Sequence, residues 1–258
     1  MKDSALRTVS VAGVLCMVCA IAVSIAAVAL KPIQEKNKAL DKKKNILMAA
    51  GLMSEAVDVD EVFANKIRAK VINLKTGTID ASIDPTKVDE RKLASDPSTS
   101  TAIEPNKDIA GIRRRSDLAV VYEVYENNNL AQVVLPVHGK GLWSTLYGFL
   151  AVNATGTEVN GIGFYEHAET PGLGGEVDNP KWKAIWRGKK LLDDSGELRI
   201  EVLKGAVDKT RPEAIYQIDG LAGATLTTRG VHNLVRYWLG DEAFGFYLSQ
   251  LGKGGAES

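Results

Sequence analysis

The first thirty residues and the rest of the chain are patterned on different rules. From Thr8 to Leu30, TVSVAGVLCMVCAIAVSIAAVAL runs without a charge. As a helix rising 1.5 Å per residue it reaches roughly 33–35 Å, enough to cross a hydrocarbon core. A cleaved leader is the competing reading, with Ala27-Val28-Ala29 as its small-residue site. The apolar run exceeds a leader's usual length and its basic flank is thin, so a retained anchor is expected. QEKNKALDKKKNILMAAGLM follows, an amphipathic stretch with a heavily charged first half, read as a stalk helix. The expected division is an anchor over 1–31, a stalk over 32–52 and one domain over 53–258.

Beyond the stalk, period-two alternation takes over. LAVVYEVYE and LAQVVLPV flank Asn127-Asn128-Asn129, a hairpin signal, and LYGFLAVN and TEVNGIGFYEH flank a second turn at Ala154–Gly156. NPKWKAIWRGKK predicts a helix, ELRIEVLK a strand, and the closing helices run from about Thr228 to Leu251. Asp84–Pro105, rich in Asp, Pro, Ser and Thr, reads as an irregular surface loop. Strands gather in the middle and helices at the ends, without βαβ alternation. The predicted class is therefore α+β, with a mostly antiparallel sheet and flanking helices.

Composition narrows the partners. Lys+Arg and Asp+Glu are equal at 32 each, which argues against nucleic acid. The densest basic spot, Arg113–Arg115, reads as a solvated face. Lysines crowd the C-terminal flank of the span and would hold the domain in the cytoplasm. A long C-terminal domain translocates largely regardless of charge, so charge does not choose the side. The two cysteines, Cys16 and Cys19, both lie in the span, so no disulfide or thiolate site is available to the domain. His138, His167 and His232 have no metal-ligand spacing and read as structural. No metal site is expected, nor a nucleophile elbow.

Three loops carry the candidate chemistry: HGKGLWS at 138–144, AETPGLGGEV at 168–177 and DGLAGATLTTRG at 219–230. Composition alone leaves them readable as three ordinary turns on a sheet rim. Together they offer an aromatic ring, an apolar edge, bare backbone N–H groups and threonines at a helix start. That inventory suits a flat-ringed cofactor with one phosphate, FMN rather than a dinucleotide.

DGLAGAT, ETPGLGGEV, HGKGLWS, the N-terminal anchor and the IRRR and YWLGDEAFG stretches resemble the covalent-FMN subunit of the bacterial sodium-translocating NADH:quinone reductases, over almost the full chain. The resemblance implies one FMN bound covalently through its phosphate to a threonine, in the pattern Asp-Gly-x-Ser/Thr-Gly-Ala-Thr. Here that pattern falls on Asp219 to Thr225, with Thr225 as acceptor and Ala222 where the family usually has a hydroxyl. A separate flavin transferase would attach the FMN. Gly223 and Ala224 would admit the phosphate, with Leu226 and Thr227 beside it. Trp143 and Leu173 are expected to border the ring, Glu169 and Thr170 to lie near its polar edge, Gly174 to contact the cofactor, and Lys204 to offer a cation. The resemblance further implies a single-pass protein of the bacterial inner membrane with a periplasmic domain. Its partners would be the complex's membrane, flavin and iron–sulfur subunits, with electrons passing from NADH to quinone while sodium moves. No complete active site is expected on this chain. An ion-motive ferredoxin:NAD oxidoreductase would use an equivalent subunit, and a membrane-anchored flavin sensor or scaffold is the alternative of a different class.

Overall fold

The computed structural model describes residues 2–54 and 57–254; residue 1 of the expected anchor and residues 55–56 and 255–258 of the expected domain lie outside the described residues. The chain divides into two units, Met1–Lys42 and Lys43–Ser258. Helix α1 runs unbroken from Lys2 to Ala49, with Pro32 inside it. That proline lacks the N–H its preceding turn would accept, yet the helix continues through it. Among the described residues this is the one helix long and apolar enough to cross a membrane, with a peak mean hydropathy of 2.7.

The second unit is built on a six-stranded sheet. Helix α2 (Val59–Lys66) leads into β1 (Ile67–Asn73) and β2 (Thr78–Ile79). Later come β5 (Leu118–Glu126), β6 (Asn129–Lys140), β7 (Thr145–Asn153) and β8 (Val159–Glu166), in the order β2-β1-β5-β6-β7-β8. Every pairing in this sheet is antiparallel. Both expected hairpins are present. Asn127 and Asn128 sit at φ 51° and 67°. A two-residue turn that matches the strands' twist needs positive φ at both positions, and Asn tolerates it.

Alternation sorts the strands onto two buried faces. Ala119 and Val121 join the main core with Leu135, Leu150 and the buried stripe of α5 (Thr225–Leu239). Val120, Tyr122 and Val124 are buried on the other face, where Ile46, Leu47 and Ala49 at the end of α1 are also buried. Gln132 Nε2 donates to the Ala50 carbonyl at 2.9 Å, tying that segment to β6. Trp238 of α5 donates from its indole N–H to the His138 carbonyl at 2.6 Å, fixing the helix against β6 next to the first glycine loop.

Five expectations are corrected. The 84–105 stretch is ordered, with a 3₁₀ turn at Pro85–Lys87, helix α3 (Glu90–Ser95) and strand β3 (Ser100–Ala102) against β4 (Arg114–Ser116). Asp84 and Asp89 start the first two by accepting backbone N–H groups. The predicted helix at 179–190 contracts to α4 (Pro180–Ala184), and the following strand to β9 (Glu201–Val202), paired in parallel with β10 (Gln217–Ile218). The arginine run is only partly solvated: Arg115 is 5% exposed and donates to the Leu74 and Glu242 carbonyls. Helix α5 starts at Thr225 rather than Thr228, which changes the chemistry of the third loop. Helix α6 (Gly245–Gly254) closes the chain's described part.

Candidate functional site

One carboxylate joins the three loops. Glu169 is 5% exposed. Its Oε1 accepts the backbone N–H groups of Trp143 at 3.0 Å and Ser144 at 3.4 Å, and its Oε2 accepts the Thr227 hydroxyl at 2.5 Å. Burial pushes the Glu169 carboxyl upward, but the hydrogen bonds from Thr227, Trp143 and Ser144 prevail and hold it below its ordinary value. The Ser144 hydroxyl accepts the Ala168 N–H at 2.8 Å, a second tie between the first two loops. Gly174 must be glycine here. A Cβ on it would lie 2.5 Å from the Thr227 oxygen and 2.7 Å from Glu169 Oε2, inside the hydrogen bond itself.

The second loop folds around the Thr170 carbonyl, which accepts the N–H groups of Leu173 at 3.1 Å and Gly175 at 2.9 Å. This turns Leu173 outward, 45% exposed. Its Cδ2 lies 3.0 Å from where a Cβ on Gly223 would stand, and Gly223 adopts φ 72°. The third loop is therefore tied to the second by shape as well as by Thr227.

The Asp219 carboxylate accepts the Val207 N–H at 2.6 Å, and the Asp219 carbonyl accepts the Trp182 indole N–H at 2.8 Å. Together with the Gly220 N–H bond to the Gly205 carbonyl at 2.9 Å, these brace the segment that carries Lys204. Thr228 accepts the Leu221 N–H at 3.0 Å and closes the loop back onto α5. Thr227 and Thr228 are both buried and spent on these bonds. Ala224 occupies the N-cap position and has no side chain able to cap, so the first turn of α5 has no capping side chain. Thr225 is the first residue of that turn, half-buried, and Leu226 beside it is 52% exposed.

Thr225 opens on a pocket of about 180 Å³ lined by Val202, Lys204, Thr228, Arg229 and His232. His232 Nδ1 accepts the Val202 N–H at 3.2 Å. Burial, then Arg236, push its pKa down, so the neutral ring carries its proton on Nε2 as a donor. Lys204 and Arg229 have no ion-pair partner among the described residues. An uncapped helix start, two such cations and an imidazole N–H are the donor set a phosphate needs, and the residues present fit one. Trp143, at 69% exposed, leaves its ring in solvent while its backbone is held by Glu169. Leu173, Leu226 and Trp143 supply apolar surface of the kind a flat ring covers.

The sequence-predicted residues thus fall into two sets. Glu169, Gly174, Thr227 and the Trp143 backbone form one buried knot, with Thr170 and Asp219 bracing the loops that meet there. Thr225, Lys204 and Leu226 stand outside it, with Gly223, Ala224 and Leu173 between. Arg229 and His232 were missed as site residues. Their signal was the helix face they share with Thr225, at intervals of four and seven residues, which becomes visible once the helix is known to start at 225.

This site defines the chain as an FMN-binding-domain protein, and residues 141–240 match the FMN-binding domain family model. The chain belongs to the family formed by the C subunits of the Na(+)-translocating NADH-quinone reductases. It is 49% identical over 258 residues to the C subunit of Pseudomonas aeruginosa, covering 99% of each chain. It is 47% identical over 251 residues to that of Haemophilus ducreyi, covering 96% of this chain and 95% of the relative. The crystal structure of Shewanella oneidensis NqrC superposes with a TM-score of 0.76 at 37% identity, covering 84% of this chain and 99% of that one. The C subunit from Parabacteroides distasonis shares the fold, with a TM-score of 0.66 at 23% identity over 85% of this chain and 97% of that one.

Proposed function

We propose that the chain is an electron-transfer subunit of a sodium-translocating NADH:quinone reductase, with one FMN esterified through its phosphate to Thr225. The observation that carries this reading is the placement of the Thr225 hydroxyl. It stands at the first position of an uncapped helix, in a pocket with Lys204, Arg229 and His232. A phosphodiester there keeps one negative charge, and each of these groups stabilises it.

FMN supplies the chemistry of accepting and passing on electrons. The chain's residues hold and orient it. Helix α5 presents its first-turn N–H groups to the phosphate, and His232 adds its Nε2–H. Glu169 locks the Trp143 and Leu173 loops against α5, so the exposed apolar side chains stay where a ring would meet them. Lys204 places positive charge beside the site, which favours a reduced, anionic ring. The open rim leaves an approach for electron donors and acceptors on other subunits.

Attachment needs a donor already activated. Joining free FMN to an alcohol expels water and is uphill, so the donor must carry the FMN phosphate in an already activated bond, as a phosphoanhydride does. The Thr225 oxygen would bond to the FMN phosphorus as the activated P–O bond breaks and its phosphate leaving group departs. The hydroxyl proton passes to a base on the transferase. Among the described residues no carboxylate lines the Thr225 pocket, consistent with chemistry supplied from outside. In this reading α1 anchors the chain in the bacterial inner membrane and the domain is periplasmic.

The test is expression with and without a flavin transferase, followed by denaturing gel fluorescence. Wild type should glow only with the transferase, and Thr225→Val, which keeps the β-branch and removes the oxygen, should stay dark. A glowing Thr225→Val beside a dark Thr227→Val would move the acceptor.

A further inference from the structure

On the side of the first glycine loop turned toward α3, a second pocket of about 350 Å³ opens beside the turn end of the β6–β7 hairpin, lined in part by Arg91, Arg113, Arg114, His138, Thr145 and Tyr147. Its floor is the cross-strand pair His138 and Tyr147, whose rings stack 5.4 Å apart. Helix α3 makes one wall and the 111–114 segment another.

The charges here are unequally spent. Arg91 lies 3.6 Å over the Tyr147 ring and grips Glu166 through two bonds of 3.1 and 2.7 Å. Glu90, the acid lining the pocket, accepts the Val120 N–H at 3.0 Å. Arg114 donates from Nε and Nη2 to Ser100 and Pro97, which leaves Nη1. Arg113 is exposed and has no ion-pair partner among the described residues. Its backbone is held at φ 62° because Asp108 accepts the N–H groups of Ile112 and Arg113 at 2.9 and 2.8 Å. That conformation is strained for a residue that carries a Cβ. The ring nitrogens of His138 have no hydrogen-bond partner among the described residues. Burial, then Arg91, push its pKa down to about 4, so near neutrality it is an uncharged ring with one N–H to give.

We propose that this pocket binds a phosphate-type oxyanion, held by the Arg113 guanidinium, Nη1 of Arg114, the Thr145 hydroxyl and the His138 imidazole. Donors from the floor and from the 111–114 wall suit a tetrahedral anion better than a carboxylate, whose acceptor sites lie in one plane. The pocket exceeds a bare ion, so the phosphate is carried on a compact body or on a lipid headgroup. The site does not depend on the flavin reading.

The test uses the full chain with isotope-labelled histidine, and the ring resonance lost in His138→Gln identifies the probe. Inorganic phosphate added to the protein in detergent should move that resonance saturably. The same shift appearing only in nanodiscs that contain phosphatidylglycerol, and not in phosphatidylcholine alone, assigns the phosphate to a headgroup. Arg113→Gly, which removes the guanidinium while suiting the left-handed backbone, should weaken binding about tenfold or more. Lys87→Ala, a charge-matched exposed control, should leave it unchanged. A His138 resonance unmoved by either source overturns the proposal, and so does equal weakening in the two variants.

Discussion

On the inner side of the three loops, the Glu169 carboxylate accepts three donors, and Thr227 and Thr228 are both spent. On the outer side, a few residues along the same segments, α5 begins without a capping side chain. There Lys204 and Arg229 have no ion-pair partner among the described residues, and Leu173, Leu226 and Trp143 face solvent. A charge buried without partners would be untenable, so the inner groups pair with one another. Donors left open at the surface cost little while solvated and are already in place when an anion arrives. The inner half is a scaffold and the outer half a receptor.

Breaking the inner half should have the largest effect on stability. Glu169→Ala leaves the Thr227 hydroxyl and two N–H groups without their acceptor, at a cost of about 3 kcal/mol, or roughly 6–12 °C in melting temperature. Thermal unfolding in detergent checks this; a variant that melts with the wild type would dissolve the distinction between the two halves.

Acid should separate the Glu169 knot from the His138 floor. The Glu169 pKa is depressed in the folded state, so its contribution is complete above its unfolded value of about 4.5 and is lost as pH falls through the folded value. His138 is depressed from 6.5 to about 4, so the unfolded chain takes up that proton first and stability falls between those values. Urea midpoints measured against pH should show both windows, with Glu169→Gln removing only the lower one.

Gly223→Ala forces a side chain into φ 72° and against Leu173, for about 1–2 kcal/mol. It should also reduce flavin attachment in the gel assay, because it displaces the seam between the halves. Leu173→Glu belongs wholly to the outer half. It should change stability by no more than about 0.5 kcal/mol, yet shift the flavin absorbance or midpoint potential. An unchanged spectrum and potential would take Leu173 off the ring.

The hairpins were legible because asparagine pairs and strict alternation encode them locally. The helix start was not. Three threonines beside a glycine loop suggest a helix start near Thr228, but Thr228 and Thr227 are recruited by Leu221 and Glu169, and the helix begins one turn earlier. His232 and Arg229 escaped notice for the same reason, since the pocket they line also needs Val202, on a strand of two residues whose partner is β10. The burial of Arg115 depends on carbonyls at positions 74 and 242, far along the chain. Glycine loops pointed to the site, while Glu169, which binds them together, has no local signature of that role.

If the proposed function holds, Thr225 alone among three neighbouring threonines carries the flavin. Peptide mass mapping of the protein purified from its native membranes tests this most directly. The expected result is one FMN phosphoester on Thr225, with Thr227 and Thr228 unmodified. Flavin on either of those two, or a purified chain in which Thr225 is unmodified, would contradict it.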